Sequence, residues 1–161
     1  MSESSHKVVV LDETDRAILR ELQRNGRIRH TELSGLINLS APALHARIRR
    51  LEQSGLIRGY VALLDRELAG YDMLVVVHVT TALHQYEHLE RFRATLAAMP
   101  EVLECLHVTG EYDYLLKVAI RHRSDLEHFV VHKLSPIPGV TRVRTSLVLR
   151  EIKSTTALPL E

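Results

Sequence analysis

LSAPALHARIRRLEQSGLIRGYVALLD, residues 39–65, reads as a short helix, a glycine stop and a strand that turns back beside the helix. Ser40 suits the N-cap, because its hydroxyl can accept a backbone N–H that the first turn leaves free. Pro42 falls in that turn, where its missing N–H costs little. Leu44, Ile48 and Leu51 recur at i, i+4 and i+7 as one apolar stripe, and Gly55 supplies the left-handed residue that ends the helix. Off the stripe lie Ala43, His45, Ala46, Arg47, Arg49 and Arg50, a narrow, small and basic face. Ala41, Ala43 and Ala46 let the helix approach another surface closely. Arg47 and Arg50, one turn apart, can reach phosphates or guanine edges, where the planar fork of arginine fits two acceptors at once. The plain alternative is a solvated charged face, and the flanking sequence decides between the two.

A chain of 161 residues holds one or two small domains, and 45% hydrophobic residues is enough for a folded core. No apolar run reaches the roughly 18 residues of a membrane span, and the opening MSESSHK lacks the pattern of a signal peptide. The single cysteine, Cys105, excludes an internal disulfide framework and suits a reducing cytoplasm; its strand-like setting predicts a small core residue. Net charge is only +1, so its distribution carries the information. Residues 40–60 hold Arg47, Arg49, Arg50 and Arg58 against Glu52 alone, whereas residues 71–161 hold 10 basic and 11 acidic side chains. A positive field confined to one stretch is what a DNA-contacting element needs.

The flanks complete a three-helix unit. Residues 1–10 read as a mobile arm. Asp12 caps a first helix with Asp15 three residues on, Ile18, Leu19 and Leu22 form its stripe with Leu11 at its entrance, and Asn25-Gly26 ends it. Thr31 is the expected cap of a short second helix carrying Leu33, Leu36 and Ile37. With the third helix and a strand over 57–64, residues 11–64 form a winged helix-turn-helix whose third helix enters the major groove. Residues 65–71, DRELAGY, are a linker. In residues 72–153 the spacing predicts strands over 73–80, 102–109, 114–120 and 140–151. Helices fall between, over 86–99 and after a cap at Ser124, in the split βαβ, ferredoxin-like order βαββαβ. Residues 154–161 read as a tail. Two helices cover one face of four strands, yet the alternation in MLVVVHVT and YLLKVAI leaves the second face largely apolar, which predicts a homodimer. Paired copies also suit a two-fold DNA site.

The chain resembles the Lrp/AsnC family of leucine-responsive, or feast/famine, regulators over nearly all of residues 11–153. The motifs are LDETDRAILRELQRNGRI, TEL, LSAPALHARIRRLEQSGLIRGYVALLD, VTGEYDYLLKV and IPGVTRVRTSLVL. The resemblance implies a cytoplasmic regulator of double-stranded DNA with a ligand-sensing and dimerisation domain. It implies dimers assembling to tetramers, octamers or hexadecamers, and no cofactor. It places Ser40, Ala41, Ala43, His45 and Arg47 toward DNA, with Arg50 and Arg58 on phosphates. Family members often carry Ser-Pro where this chain has Ala41-Pro42-Ala43, a change that removes side-chain hydrogen bonds and bears on base preference. It also places an amino-acid effector between dimers at Thr109, Gly110, Glu111, Tyr112 and Asp113. Gly110 allows close backbone approach, its neighbours' N–H groups can hold a carboxylate, and Asp113 can accept an ammonium; an ordinary hairpin turn would read the same way.

Two rival readings stay open at this stage. One is an enzyme of the same architecture resembling sirohaem decarboxylases, with His78 and His107 lining a tetrapyrrole pocket. The other is an architectural DNA binder indifferent to metabolites. The ten histidines include His84/His88 and His128/His132 at i, i+4, but two ligands are too few for a zinc site, and solvated surface histidines are the simpler expectation.

Overall fold

The computed structural model describes residues 8–82 and 85–161; the arm over residues 1–7 and His84 of the first histidine pair lie outside it. It divides into two units. The first comprises residues 8–63 together with 153–161, and the second residues 64–152.

In the first unit, α1 spans Glu13–Arg24, α2 His30–Leu36 and α3 Ala41–Gln53. The start of α1 is a full capping box. Asp12 accepts from the Asp15 N–H at 2.7 Å, and the Asp15 carboxylate accepts from the Asp12 N–H at 3.3 Å. The predicted stripes close one core: Ile18, Leu19, Leu33, Leu44, Ile48 and Leu51 are buried, with Leu11, Leu22, Ile28, Ile37 and Ile57 packed around them. The turn between α2 and α3 passes through Asn38 at φ +53, a left-handed position that asparagine tolerates better than most residues. Gly55, at φ +77, ends α3 as its position predicts. Thr31 does not cap α2; the cap lies two residues earlier, at Arg29, and makes no side-chain hydrogen bond to the first turn. Leu36, expected inside, is exposed.

The stretch 57–64 differs from its prediction. The single chain forms no strand there, and Val61, Leu63 and Leu64 are exposed. A strand exists only through its partner's N–H and C=O groups, and no strand lies beside this segment among the described residues. Tyr60 does reach back, donating its hydroxyl to Glu52 at 3.1 Å. Residues 153–161 are not a free tail. The Gln23 amide donates to the Leu158 carbonyl at 3.1 Å and accepts from its N–H at 2.6 Å. Arg20 donates to the Leu160 carbonyl at 3.0 Å, and Leu160 packs on the α1–α3 core.

The second unit runs β1 Met73–Thr81, α4 Tyr86–Ala97, β2 Val102–His107, β3 Tyr114–Ile120, α5 Arg123–His128 and β4 Val140–Leu147; α5 continues as a π-helical turn, Phe129–Leu134. The predicted order βαββαβ is obtained, and the sheet is antiparallel in the order β2-β3-β1-β4. One sheet face supplies Val75, Val77, Val79, Tyr114, Leu116, Val118 and Ile120 to a core completed by Phe92, Leu96, Phe129 and Leu134. Ser124 is not the cap of α5. That role falls to His122, whose N–H is taken by Asp125 at 3.1 Å. Cys105, expected in a core, is exposed on β2. The opposite sheet face is less apolar than its pattern predicts. Leu74 and Ala119 are buried and Val76 and Leu115 half-buried, but Lys117 pairs across with Glu104, and His78 with Arg144.

Candidate nucleic-acid interface and effector turn

Leu44, Ile48 and Leu51 fix which way α3 faces. With 100° per residue, Ala46 and Arg49 point away from that stripe. Arg47 and Arg50 fall on the flank toward α1, and His45 and Arg49 on the other. The seven residues expected at DNA therefore separate. Ser40 accepts from the Ala43 N–H at 3.4 Å, which commits its hydroxyl to the cap. Ala41 and His45 are exposed, and the His45 ring lies 6.2 Å from that of His30 at the start of α2. Arg58 is exposed, with no partner among the described residues. Ala43 is half-buried.

Arg47 and Arg50 turn toward α1, Arg47 half-buried and Arg50 still exposed. The Arg47 guanidinium bridges Asp12 at 2.6 Å and Asp15 at 2.8 Å, and Arg50 pairs with the other oxygen of Asp15. Asp15 is 1% exposed, so this carboxylate, between two guanidiniums, sits inside the α1–α3 junction. The backbone N–H of Asp15, and then Arg47, hold the Asp12 carboxyl below its ordinary range; Asp12, and then Asp15, raise Arg47 further above its own. A cavity of about 390 Å³ opens between Asp12, Ala43, Ala46, Arg47 and Arg50 on this flank. Arg49, which lies on the basic face but is not among the seven residues expected at DNA, is exposed and unpaired among the described residues. Its spacing one turn beyond His45 was the available signal.

At the β2–β3 turn, Gly110 sits at φ +121, with no atom within 4 Å of where a Cβ would lie. Asp113 is already engaged. Its Oδ2 accepts from the Thr81 N–H at 2.6 Å and from the Thr81 hydroxyl at 3.2 Å, so the acid expected to meet an ammonium also holds the turn to β1. Thr109 and Glu111 are exposed, and Glu111 lies 3.4 Å from Arg142. The Tyr112 hydroxyl accepts from Arg144 at 3.0 Å, and its ring lies 4.7 Å from that of His78. The Nδ1 of His78 is buried with no hydrogen-bond partner among the described residues. Arg142, Arg144 and His78 were not named at this turn; the alternation of β4, with His78 opposite Arg144, was the pattern that joins them. His107 belongs elsewhere. It stacks on Tyr114 at 4.8 Å, on the helix side of the sheet, whereas His78 faces the other side.

Comparison with known proteins agrees with this geometry. Residues 11–58 match the family model for a winged helix-turn-helix DNA-binding domain, and residues 74–158 that for the Lrp/AsnC ligand binding domain. The chain is 39% identical over 151 residues to a leucine-responsive regulatory protein of Haemophilus influenzae, covering 94% of this chain and 91% of the relative. It is 38% identical over 148 residues to its Escherichia coli counterpart, covering 92% and 90%. Among solved structures, a transcriptional regulator of Neisseria meningitidis in complex with L-Met superposes with a TM-score of 0.90 at 39% identity, covering 94% of this chain and 97% of that one. Escherichia coli AsnC gives a TM-score of 0.85 at 26% identity, covering 94% and 100%. The chain belongs to the Lrp/AsnC family of DNA-binding transcriptional regulators.

Proposed function

We propose that this regulator is a cytoplasmic homo-oligomer that contacts double-stranded DNA through the exposed side of α3 and Arg58, and that an amino acid or related metabolite acts at residues 109–113. Gly110 carries the effector half of the reading. A left-handed glycine with open space around it offers bare backbone to a small carboxylate, next to the Tyr112–Arg144 pair. The Neisseria relative held L-Met, which suggests the chemical class. The partly apolar open sheet face, and a segment 57–64 with no strand partner among the described residues, support dimers and dimers of dimers. A ligand at the turn changes DNA binding only through unequal affinity for two arrangements of the assembly.

One observation weighs against the tetrapyrrole enzyme: His78 and His107, its imagined lining, face opposite sides of the sheet. The test is a genome-wide binding map taken with and without a panel of amino acids, paired with thermal-shift titrations of the same panel. At least one amino acid is expected to raise the melting temperature of the parent protein and to redistribute its sites, and Gly110→Val to lose both responses while still binding DNA. A coloured preparation, or one that maps to no sites, would refute the proposal.

A further inference from the structure

We infer that Arg49 is the base-reading arginine of the third helix, and that Arg47 and Arg50 are positioning residues that act through buried Asp15. The inference rests on the reading that α3 meets duplex DNA, and it reassigns who does what on that helix. Four observations carry it. Arg47 is half-buried and bridges two carboxylates of α1, so a phosphate would have to compete with both. Arg50, although exposed, is held by Asp15, which at 1% exposure has, among the described residues, only these guanidiniums and a backbone N–H to answer its charge. Asp12 stands at the mouth of the same flank and repels an approaching phosphate. Arg49, on the opposite flank, is exposed with no partner among the described residues.

The physical logic is that a guanidinium already bonded to two carboxylates brings little net positive charge to a polyanion. What such a pair contributes is orientation. The buried stripe sets which side of α3 faces the core, and the clamp from α1 trims its rotation further, which decides where the free side chains on its outer side point. Arg49 has the reach and the bidentate fork to meet O6 and N7 of guanine. His45, one turn before it, shares its flank.

The experiment starts by enriching a duplex from a randomised pool with the full-length parent protein, then measures affinity for that duplex and for a scrambled one across a salt series. Arg49→Ala and Arg49→Lys are both expected to lower the ratio of selected to scrambled affinity by roughly ten- to a hundredfold, as loss of one bidentate base contact does. Both should keep the parent's melting temperature and oligomer size. Full rescue by Arg49→Lys would make the contact a simple charge on phosphate and overturn the base-reading assignment, as would an unchanged ratio in both variants. Asp15→Asn releases Arg50 from its carboxylate, leaves Arg47 on Asp12 alone, and is measured well below its melting temperature. The ratio is expected to fall at least tenfold with scrambled-duplex affinity unchanged. If the two arginines were phosphate contacts, loosening the clamp would instead tighten scrambled-duplex binding and steepen the salt slope by about one charge, that of Arg50. That result, or an unchanged ratio, overturns the positioning role. A parent protein that enriches no sequence refutes the regulator reading itself, an outcome separate from either variant's behaviour.

Discussion

Tyr60 shows how a single residue couples the segment after α3 to the helices. Its hydroxyl donates to Glu52, and its ring lies 3.5 Å from the point where a side chain on Gly26 would begin. Burial first, and then the bond to the Glu52 carboxylate, raise the phenol to about 12 from an ordinary 10.0. The fold thus favours the protonated phenol. Its contribution is complete below pH 10 and fades as the pH climbs through about 12. An absorbance titration of tyrosinate, read as the difference between the parent protein and Tyr60→Phe, should show this phenol titrating late. Glu52→Gln should bring it earlier while leaving it above the ordinary value, because burial remains. A phenol that titrates normally in both proteins would contradict the contact.

Among the elements, the turn of the helix-turn-helix depends on backbone shape more than on side chains. Asn38 stands at φ +53, where a branched side chain meets its own carbonyl. Asn38→Gly should leave stability within about 0.5 kcal/mol of the parent, whereas Asn38→Val should cost about 1–2 kcal/mol by denaturant unfolding. Equal midpoints for the two variants would show that the turn relaxes. The elements were largely legible beforehand because their signals are local. The i, i+4, i+7 stripe of α3, the left-handed Gly55 and the two-residue alternation of β1 and β3 each sit within one short window. What escaped notice was long-range. The strand predicted over 57–64 needs a partner the single chain lacks. The acids that hold Arg47 lie 35 and 32 residues away in sequence, and nothing in the basic pattern of α3 says that two of its arginines are held by acids of another segment. The candidate effector turn was found, but its neighbours His78, Arg142 and Arg144 come from other strands and only register brings them there.

For the molecule as a whole, residues 153–161 are part of the helical unit's own structure. Leu160 is half-buried against its core, and Gln23 brackets Leu158 with two hydrogen bonds. Leu160→Ala should cost about 1–2 kcal/mol, below the loss from a fully enclosed leucine, and should weaken hydrogen-exchange protection along α1 more than along β1 and β3. Unaltered exchange on α1 would mean that the contact contributes nothing in solution. This discontinuity also bears on biosynthesis. The ribosome releases α1, α2 and α3 first, but the surface of α1 that receives Leu158 and Leu160 stays bare until the entire sheet unit has been translated, so the earliest part of the chain to emerge is among the last to be finished.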